Sequence, residues 1–145
     1  MIIKARQTDA FVVATLANKL WKHNTVSALY TEFNKIINDE NNAIFIYIIN
    51  EKPIGFAQCS LRHDYVEGTQ SSPVGYLEGI YVEEEHRNKG YAKELLKACE
   101  QFAIENNTFE FASDCEINNL ESLQFHLKLG FDEVNQVRCF TKKLK

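Results

Sequence analysis

Residues 74–82 read Val-Gly-Tyr-Leu-Glu-Gly-Ile-Tyr-Val, and residues 87–92 read Arg-Asn-Lys-Gly-Tyr-Ala. The first stretch is rich in β-branched and aromatic residues, which favours a β-strand. From residue 92 to residue 103 apolar side chains recur with a period of 3.6, which predicts a helix stopped by Asn106. Residues 87–92 would form the turn between this strand and this helix. The first amides of a helix have no intrahelical partners, so the segment predicts an anion site between the strand and the helix.

The sequence on both sides of this segment predicts further helices and strands from hydrophobic periodicity and turn residues. They are a strand at 2–6, a helix capped by Thr8 that ends near Trp21, a helix at 26–40 capped by Thr25, hairpin strands at 43–49 and 54–62, a strand at 109–114, a helix at 120–129 ended by Gly130, and a last strand at 137–143. The order β-αα-β-β-β-α-β-α-β predicts an α/β protein with a mixed sheet covered by helices on both faces.

Length and composition limit the class of protein. The chain has 145 residues, 45% of them apolar, so we expect a single domain spanning residues 1–145. The chain lacks a run of about 20 apolar residues, and its first residues do not resemble a secretory signal, so we expect a cytoplasmic protein with no membrane partner. The net charge of −4 argues against nucleic-acid binding and suits a cationic small molecule.

Four cysteines and four histidines offer no metal-ligand spacing. Cys59, Cys99, Cys115 and Cys139 form no C-x-x-C pair and lie in stretches predicted as strand or helix interior. We therefore expect buried free thiols and no metal.

The basic loop has two interpretations when taken alone. Gly90 would let the backbone approach a pyrophosphate closely, and Arg87 and Lys89 would supply mobile positive charge. A basic turn that opens an ordinary solvated helix would have the same composition, and neither of the common nucleotide-binding glycine motifs fits here.

Arg87-x-x-Gly90-x-Ala92 resembles the Q/R-x-x-G-x-G/A signature of the GNAT superfamily of N-acetyltransferases. The resemblance covers nearly the whole chain. Residues 77–82 look like the family's fourth strand, and Asn119, Ser122, Gly130 and Phe131 match its N-x-x-A…G-F segment with Ser at the Ala position. It implies the GNAT fold, in which the fourth and fifth strands splay apart around a bulge, and Gly79 suits that bulge.

The resemblance implies acetyl-CoA as co-substrate and assigns residues to it. The backbone of Ile80, Tyr81 and Val82 would bind the pantetheine arm and polarise the thioester carbonyl. Asn119 would contact the coenzyme arm, although it can equally be the N-cap of the last helix. The pyrophosphate would lie against the loop residues Arg87, Asn88, Lys89, Gly90, Tyr91 and Ala92.

Within the superfamily, residues 72–82, 111–114 and 126–131 are similar to aminoglycoside 6′-N-acetyltransferases, which confer antibiotic resistance. This similarity implies transfer of an acetyl group from acetyl-CoA to the 6′-amine of an aminoglycoside, by direct attack in a ternary complex. Two other functions stay open: acetylation of another amine (a polyamine, an amino sugar or a protein N-terminus), and a non-catalytic acyl-CoA-binding module.

Glu78 and Asp114 are the candidate catalytic and substrate-binding carboxylates. An alkylammonium has a reference pKa of about 10, so something must take its proton before the amine attacks. Glu78 lies in an apolar strand where an unpaired carboxylate is costly, and Asp114 ends the next strand. The alternatives are a solvent-facing strand Glu and an Asp that caps the following turn.

Several further residues have weaker assignments, all implied by the subgroup. Trp21, His23 and Tyr65 are candidate sugar contacts, although Trp21 would also suit the end of a core helix. Asn135 stands where relatives often have Glu, which should weaken one ammonium contact. His126 replaces a Tyr that serves as general acid in many members, and it can equally be a structural histidine. Small acetyltransferases of this type are often homodimers, and the predicted strand at 137–143 would offer an edge for the contact.

Overall fold

The computed structural model describes residues 1–145, which form one five-stranded sheet with strand order β1-β2-β3-β4-β5 and four α-helices. β1 to β4 pair with one another in antiparallel order, and β5 pairs with β4 in parallel. In chain order the elements are β1 (Ile2–Lys4), α1 (Ala10–Leu20), α2 (Val26–Ile36), β2 (Asn42–Ile49), β3 (Lys52–Arg62), β4 (Val74–Val82), α3 (Tyr91–Glu105), β5 (Phe111–Ala112) and α4 (Leu120–Lys128).

Local sequence explains where these elements begin and end. The Thr25 hydroxyl accepts a hydrogen bond from the amide of Ala28 at 3.1 Å, so the predicted cap of α2 is confirmed. α2 ends at Ile36, several residues before the predicted limit. Asn50 and Glu51 both have positive φ, which suits the tight turn that joins β2 and β3.

Helices cover both faces of the sheet, as predicted. On one face α3 packs against β2, β3 and β4, and Cys59, Leu77 and Leu95 belong to this core. On the other face α1 and α2 cover the sheet, and Leu29 and Phe56 are buried there. Successive side chains of a strand point to opposite faces of the sheet. Each side chain of β3 and β4 therefore faces either α3 or the pair α1 and α2.

The predicted strand at 137–143 does not form, and the predicted strand at 109–114 shortens to Phe111–Ala112. From Phe131 onward the chain has no helix or strand, and Val137, Phe140 and Leu144 are 65%, 88% and 85% exposed. A strand needs a neighbouring strand to satisfy its backbone amides and carbonyls. The nearest edge of the sheet is β5, which is only two residues long, and residues 137–143 do not pair with it, so the sequence prediction of a sixth strand is wrong.

The prediction of buried thiols holds for two cysteines only. Cys59 and Cys99 are buried between the sheet and α3, whereas Cys115 and Cys139 are exposed because the segments around them are not strand or helix interior. The four cysteines are free thiols, and the structure contains no cluster of three His, Cys, Asp or Glu suited to a metal. None of the helices combines the length and the hydropathy that a membrane-spanning helix requires.

Candidate active site

A gap opens between β4 and β5. The two strands pair only at Gly75 with Phe111 and at Tyr76 with Ala112. Residues 77–82 of β4 continue to pair with β3 on their other side. Glu83, directly after β4, donates its amide to Ile54 of β3, so by alternation Tyr81 also turns its backbone groups to β3, whereas Ile80 and Val82 turn theirs to the gap. Of the three residues predicted to bind the pantetheine arm, two therefore direct their backbone groups to the gap.

A β-bulge lies in the middle of β4. Gln58 of β3 pairs with Gly79 and the adjacent Cys59 pairs with Leu77, which leaves Glu78 without a partner. The predicted bulge is confirmed, with Glu78 as the inserted residue directly before Gly79. A Cβ on Gly79 would lie 2.6 Å from Cζ2 of Trp21, so only glycine lets the indole lie against the bulge.

The loop before α3 has the properties of an anion site. Gly90 is the N-cap of α3 with φ +86°, and Asn88 also has positive φ. The amides of residues 88–93 have no acceptor within the protein, and nothing lies within 4 Å of the position that a Cβ on Gly90 would take. The predicted loop residues Asn88, Lys89, Gly90, Tyr91 and Ala92 thus have free amides at the N-terminus of a helix, and such donors suit a pyrophosphate.

Arg87 differs from the prediction of a mobile cation. Its Nε donates to the carbonyl of Val82 at 2.8 Å, and its guanidinium lies 5.4 Å from the Tyr81 ring centre. Burial and the hydrogen bond that Tyr81 donates to Glu83 at 2.7 Å raise the pKa of Tyr81 to about 12. In this arrangement Arg87 fixes the turn between β4 and the loop, and its charge lies at the end of the gap.

Glu78 is held by two residues that the sequence interpretation missed. Ser60 donates to its Oε2 at 2.6 Å, and Arg62 donates from Nε to Oε2 at 3.1 Å and from Nη2 to Oε1 at 2.7 Å. The signal was present in the sequence, since Gln58, Ser60 and Arg62 alternate as polar residues on an otherwise buried strand. Glu78 therefore has an ion pair and is not a free strand glutamate.

Asp114 accepts a hydrogen bond from the Tyr76 hydroxyl. Tyr76 is buried in β4, and burial together with this bond raises the pKa of its hydroxyl. The guanidinium of Arg62 lies over the Tyr76 ring, 3.5 Å from its centre. A continuous set of contacts therefore joins the two predicted carboxylates through Arg62 and Tyr76, on the sheet face that carries α1 and α2.

The predicted acceptor contacts do not all converge. Trp21 lies beside the bulge. Its ring packs edge-on against Phe56, with ring centres 6.1 Å apart, so Trp21 belongs both to the core and to the neighbourhood of Glu78. Tyr65 is 76% exposed on the loop between β3 and β4, and His23 is exposed after α1. Asn135 donates to Glu67 of the same loop at 3.0 Å, which joins the C-terminal segment to it.

His126 and Asn119 occupy defined places on α4. The side chain of Asn119 accepts from the amide of Ser122 at 3.1 Å, so it caps the helix. Nδ1 of His126 lies 2.7 Å from the carbonyl of Ser122, and its Nε2 lies 2.7 Å from the hydroxyl of Ser113. Because a carbonyl only accepts, Nδ1 carries a proton, and Nε2 faces the Ser113 hydroxyl directly after β5.

Comparison with known proteins identifies the family of the chain. Residues 11–131 match the model of the acetyltransferase (GNAT) family. Aminoglycoside N(6′)-acetyltransferase type 1 of Acinetobacter haemolyticus is 37% identical over 129 residues, 89% of this chain and 88% of the relative. The corresponding protein of Salmonella typhimurium is 37% identical over 128 residues, 88% of each chain.

Solved structures of this type have the same fold. AAC(6′)-Iy in complex with the bisubstrate analogue CoA-S-monomethyl-acetylneamine has a TM-score of 0.94 and 34% identity, and the alignment covers 99% of this chain and 97% of that one. The apo form of aminoglycoside 6′-N-acetyltransferase AAC(6′)-IG from Acinetobacter haemolyticus has a TM-score of 0.94 and 33% identity, with 100% and 99% covered.

Proposed function

The chain belongs to the GNAT family of acetyltransferases, and from that premise we propose that it transfers the acetyl group of acetyl-CoA to the 6′-amine of aminoglycosides, which would confer resistance to them. The main support is the pair of carboxylates, Glu78 and Asp114, which lie next to the gap between β4 and β5 and are joined by contacts through Arg62 and Tyr76. The relatives named above, whose sequences align over most of both chains, support this substrate class.

The donor side of the proposal rests on backbone groups. Acetyl-CoA supplies a thioester carbonyl that an amine can attack directly. The backbone groups of Ile80 and the amide of Val82 would hold the pantetheine arm in the gap, with Tyr81 between them, and the free amides of residues 88–93 would bind the pyrophosphate at the N-terminus of α3. Lys89 adds a mobile positive charge, Arg87 supports the loop, and the remaining Nδ2 of Asn119 can donate to the coenzyme arm.

The acceptor side needs both attraction and proton removal. An aminoglycoside carries several ammonium groups, and the attacking one must lose a proton at neutral pH. We propose that Glu78 and Asp114 bind the reacting ammonium and receive its proton, directly or through a water. Ser60 and Tyr76 would then orient the two carboxylates through the bonds they donate.

Further residues complete the proposed site. Trp21, Tyr65 and His23 would contact the sugar rings, since the first lies at the bulge and the other two are exposed and free. Asn135, which is bound to Glu67 of the loop between β3 and β4, would contact the substrate beside that loop. Because its side chain is neutral, this contact would be weaker than that of a carboxylate. As a general acid, His126 would carry a proton on both ring nitrogens, donate the one on Nε2 to the Ser113 oxygen and become neutral, while the Ser113 hydroxyl passes its own proton to the coenzyme thiolate.

We propose that residues 1–145 act as one catalytic domain, in the cytoplasm where acetyl-CoA is present, and as a homodimer. The exposed apolar residues of the C-terminal segment support the dimer, because Phe140 and Leu144 have no partner within the chain. A second copy would cover them and provide the missing strand partner for residues 137–143.

Mass spectrometry of kanamycin or tobramycin after incubation with the enzyme and acetyl-CoA tests the proposed function. The expected product is about 42 Da heavier than the aminoglycoside, because one acetyl group replaces one hydrogen. Its fragments should place the acetyl group on the 6′-amine. Coenzyme release with other amines only would favour a different acceptor, and coenzyme binding without any product would favour a binding module.

The same assay tests the two carboxylates. Glu78→Ala and Asp114→Ala should each lower kcat/KM for the aminoglycoside by at least about 100-fold, the usual effect of a lost acid or base. Glu32→Ala on the exposed surface of α2 removes the same charge and should change nothing. Unchanged kcat/KM in either site variant would remove that residue from the reaction.

A further inference from the structure

Arg62 ends β3 and has no role in the reaction described so far. Its planar guanidinium binds both oxygens of Glu78, at 3.1 Å and 2.7 Å, in the fork geometry that gives arginine-carboxylate pairs their directionality. The Arg62 side chain is 41% exposed and that of Glu78 is 24% exposed. The pair therefore lies at the rim of the site, where an incoming ligand reaches it.

Two contacts keep the guanidinium in place and charged. It lies over the ring of Tyr76, whose centre is 3.5 Å from the Arg62 Cζ. Burial opposes the charge, but the hydrogen bonds and the negative charge of Glu78 outweigh it, so that the pKa of Arg62 is raised. Asp114 contributes to the same attraction through its position on Tyr76. Arg62 is therefore a permanent cation between the two acceptor carboxylates.

The hydrogen bonds leave Glu78 with little free capacity. A carboxylate offers about four lone-pair positions, two on each oxygen. Oε2 accepts from both Ser60 and Arg62, and Oε1 accepts from Arg62 alone. One position remains for a substrate donor, and it lies on Oε1.

Charge counting gives a second consequence. Glu78 and Asp114 contribute two negative charges, and Arg62 offsets one of them. A polycationic substrate thus meets one net negative charge at this place. An acetylated product that still carries several ammonium groups is held by the same reduced attraction.

We propose that Arg62 is a positioning and specificity-determining residue that directs the reacting ammonium to Oε1 of Glu78 and weakens the hold of the site on polycations. The inference rests on the proposed function for the identity of the acceptor. It predicts opposite effects of Arg62 on turnover and on affinity, which a purely structural residue does not produce.

Two variants and two acceptors test the proposal. Arg62→Met removes the charge and the fork, and Arg62→Lys keeps the charge but loses the planar fork. Lys35→Met, on the exposed face of α2, is the control for the loss of one positive charge. The acceptors are tobramycin and a monoamino sugar with a primary 6-amine, and steady-state kinetics are measured at two salt concentrations, with thermal unfolding as the check on folding.

Both Arg62 variants should lower kcat about tenfold, because the ammonium is no longer directed to one position. Arg62→Met alone should lower KM for tobramycin about threefold, the effect of one partly screened charge, and steepen its salt dependence. KM for the monoamino sugar should change less. Unchanged constants in both variants would overturn the proposal, as would equal losses with both acceptors that follow a lower melting temperature.

Failure of the proposed function would look different. In that case the wild type and Lys35→Met release no thiol with either acceptor but do so with another amine. The comparison of kcat with KM is then made with that amine, and a rise in KM in Arg62→Met would overturn the role assigned to Arg62.

Discussion

Replacement of Gly90 by Ala tests whether the loop before α3 binds the coenzyme, and the chain supplies a matched control at Gly130. The two glycines have nearly the same backbone conformation, with φ +86° and +92°. Neither has an atom of the protein within 4 Å of the position that a Cβ would take. The two substitutions should therefore cause nearly the same backbone strain and differ only in where they lie.

The expected loss of stability is the same for both variants. An L-residue in the left-handed region costs about 1–2 kcal/mol. Alanine also restricts the unfolded chain, which returns about 0.4–1 kcal/mol. The net free energy of unfolding should fall by about 1 kcal/mol in each variant, and the melting temperature by about 3 °C for a chain of this length.

The effect on the coenzyme should separate them. At Gly90 the methyl group would project in front of the free amides of residues 88–93 and hinder the approach of a phosphate. Loss of one hydrogen bond to a charged group is worth about 1.5–3 kcal/mol, so KM for acetyl-CoA should rise about tenfold or more. Gly130→Ala, at the C-terminal end of α4, should leave KM unchanged.

Denaturant unfolding and steady-state kinetics with varied acetyl-CoA measure the two quantities. Equal KM values for both variants would refute the assignment of the phosphate site to this loop. Unequal losses of stability would instead refute the argument that the two positions are equivalent.

Three more predictions concern other parts of the molecule. Glu83→Gln should lower the free energy of unfolding by about 1 kcal/mol at pH 7, since bonds from Lys19 and Tyr81 outweigh burial and lower the pKa of Glu83. That contribution is present above the ordinary value of 4.5 and is lost as the pH falls, so urea unfolding should show a smaller difference at low pH. His126→Phe and Ser113→Ala should each lower kcat about tenfold or more without a matching rise in KM, and turnover equal to wild type would exclude a proton relay. If the proposed dimer forms, Phe140→Glu should convert it to a monomer in sedimentation velocity, and an unchanged sedimentation coefficient would exclude the C-terminal segment from the interface.

Local patterns were sufficient for most of the fold. The bounds of β4 were predicted to the residue, and α3 begins and ends where the glycine turn and the asparagine stop indicated. Thr25 and Gly130 mark helix ends through their own backbone and side-chain chemistry. These features depend on residues close in sequence, so the sequence alone determines them.

The pairing of distant residues could not be predicted in the same way. Arg62 and Glu78 are 16 positions apart, and their contact depends on the register of β3 with β4 and on the bulge between them. Ser113 and His126 meet only because α4 returns to the end of β5. The segment after Phe131 has a strand pattern but pairs with no strand, and its contacts are with the distant loop between β3 and β4.

The amino-acid sequence by itself therefore determined the strand, loop and helix of the donor site, because an unpaired helix N-terminus and a glycine in the left-handed region are local properties. The sequence also indicated the carboxylates Glu78 and Asp114, but tertiary structure alone decided what surrounds them. The surroundings of a carboxylate are set by whichever side chains the sheet register brings within hydrogen-bond distance, and register is a property of strands that are far apart in sequence.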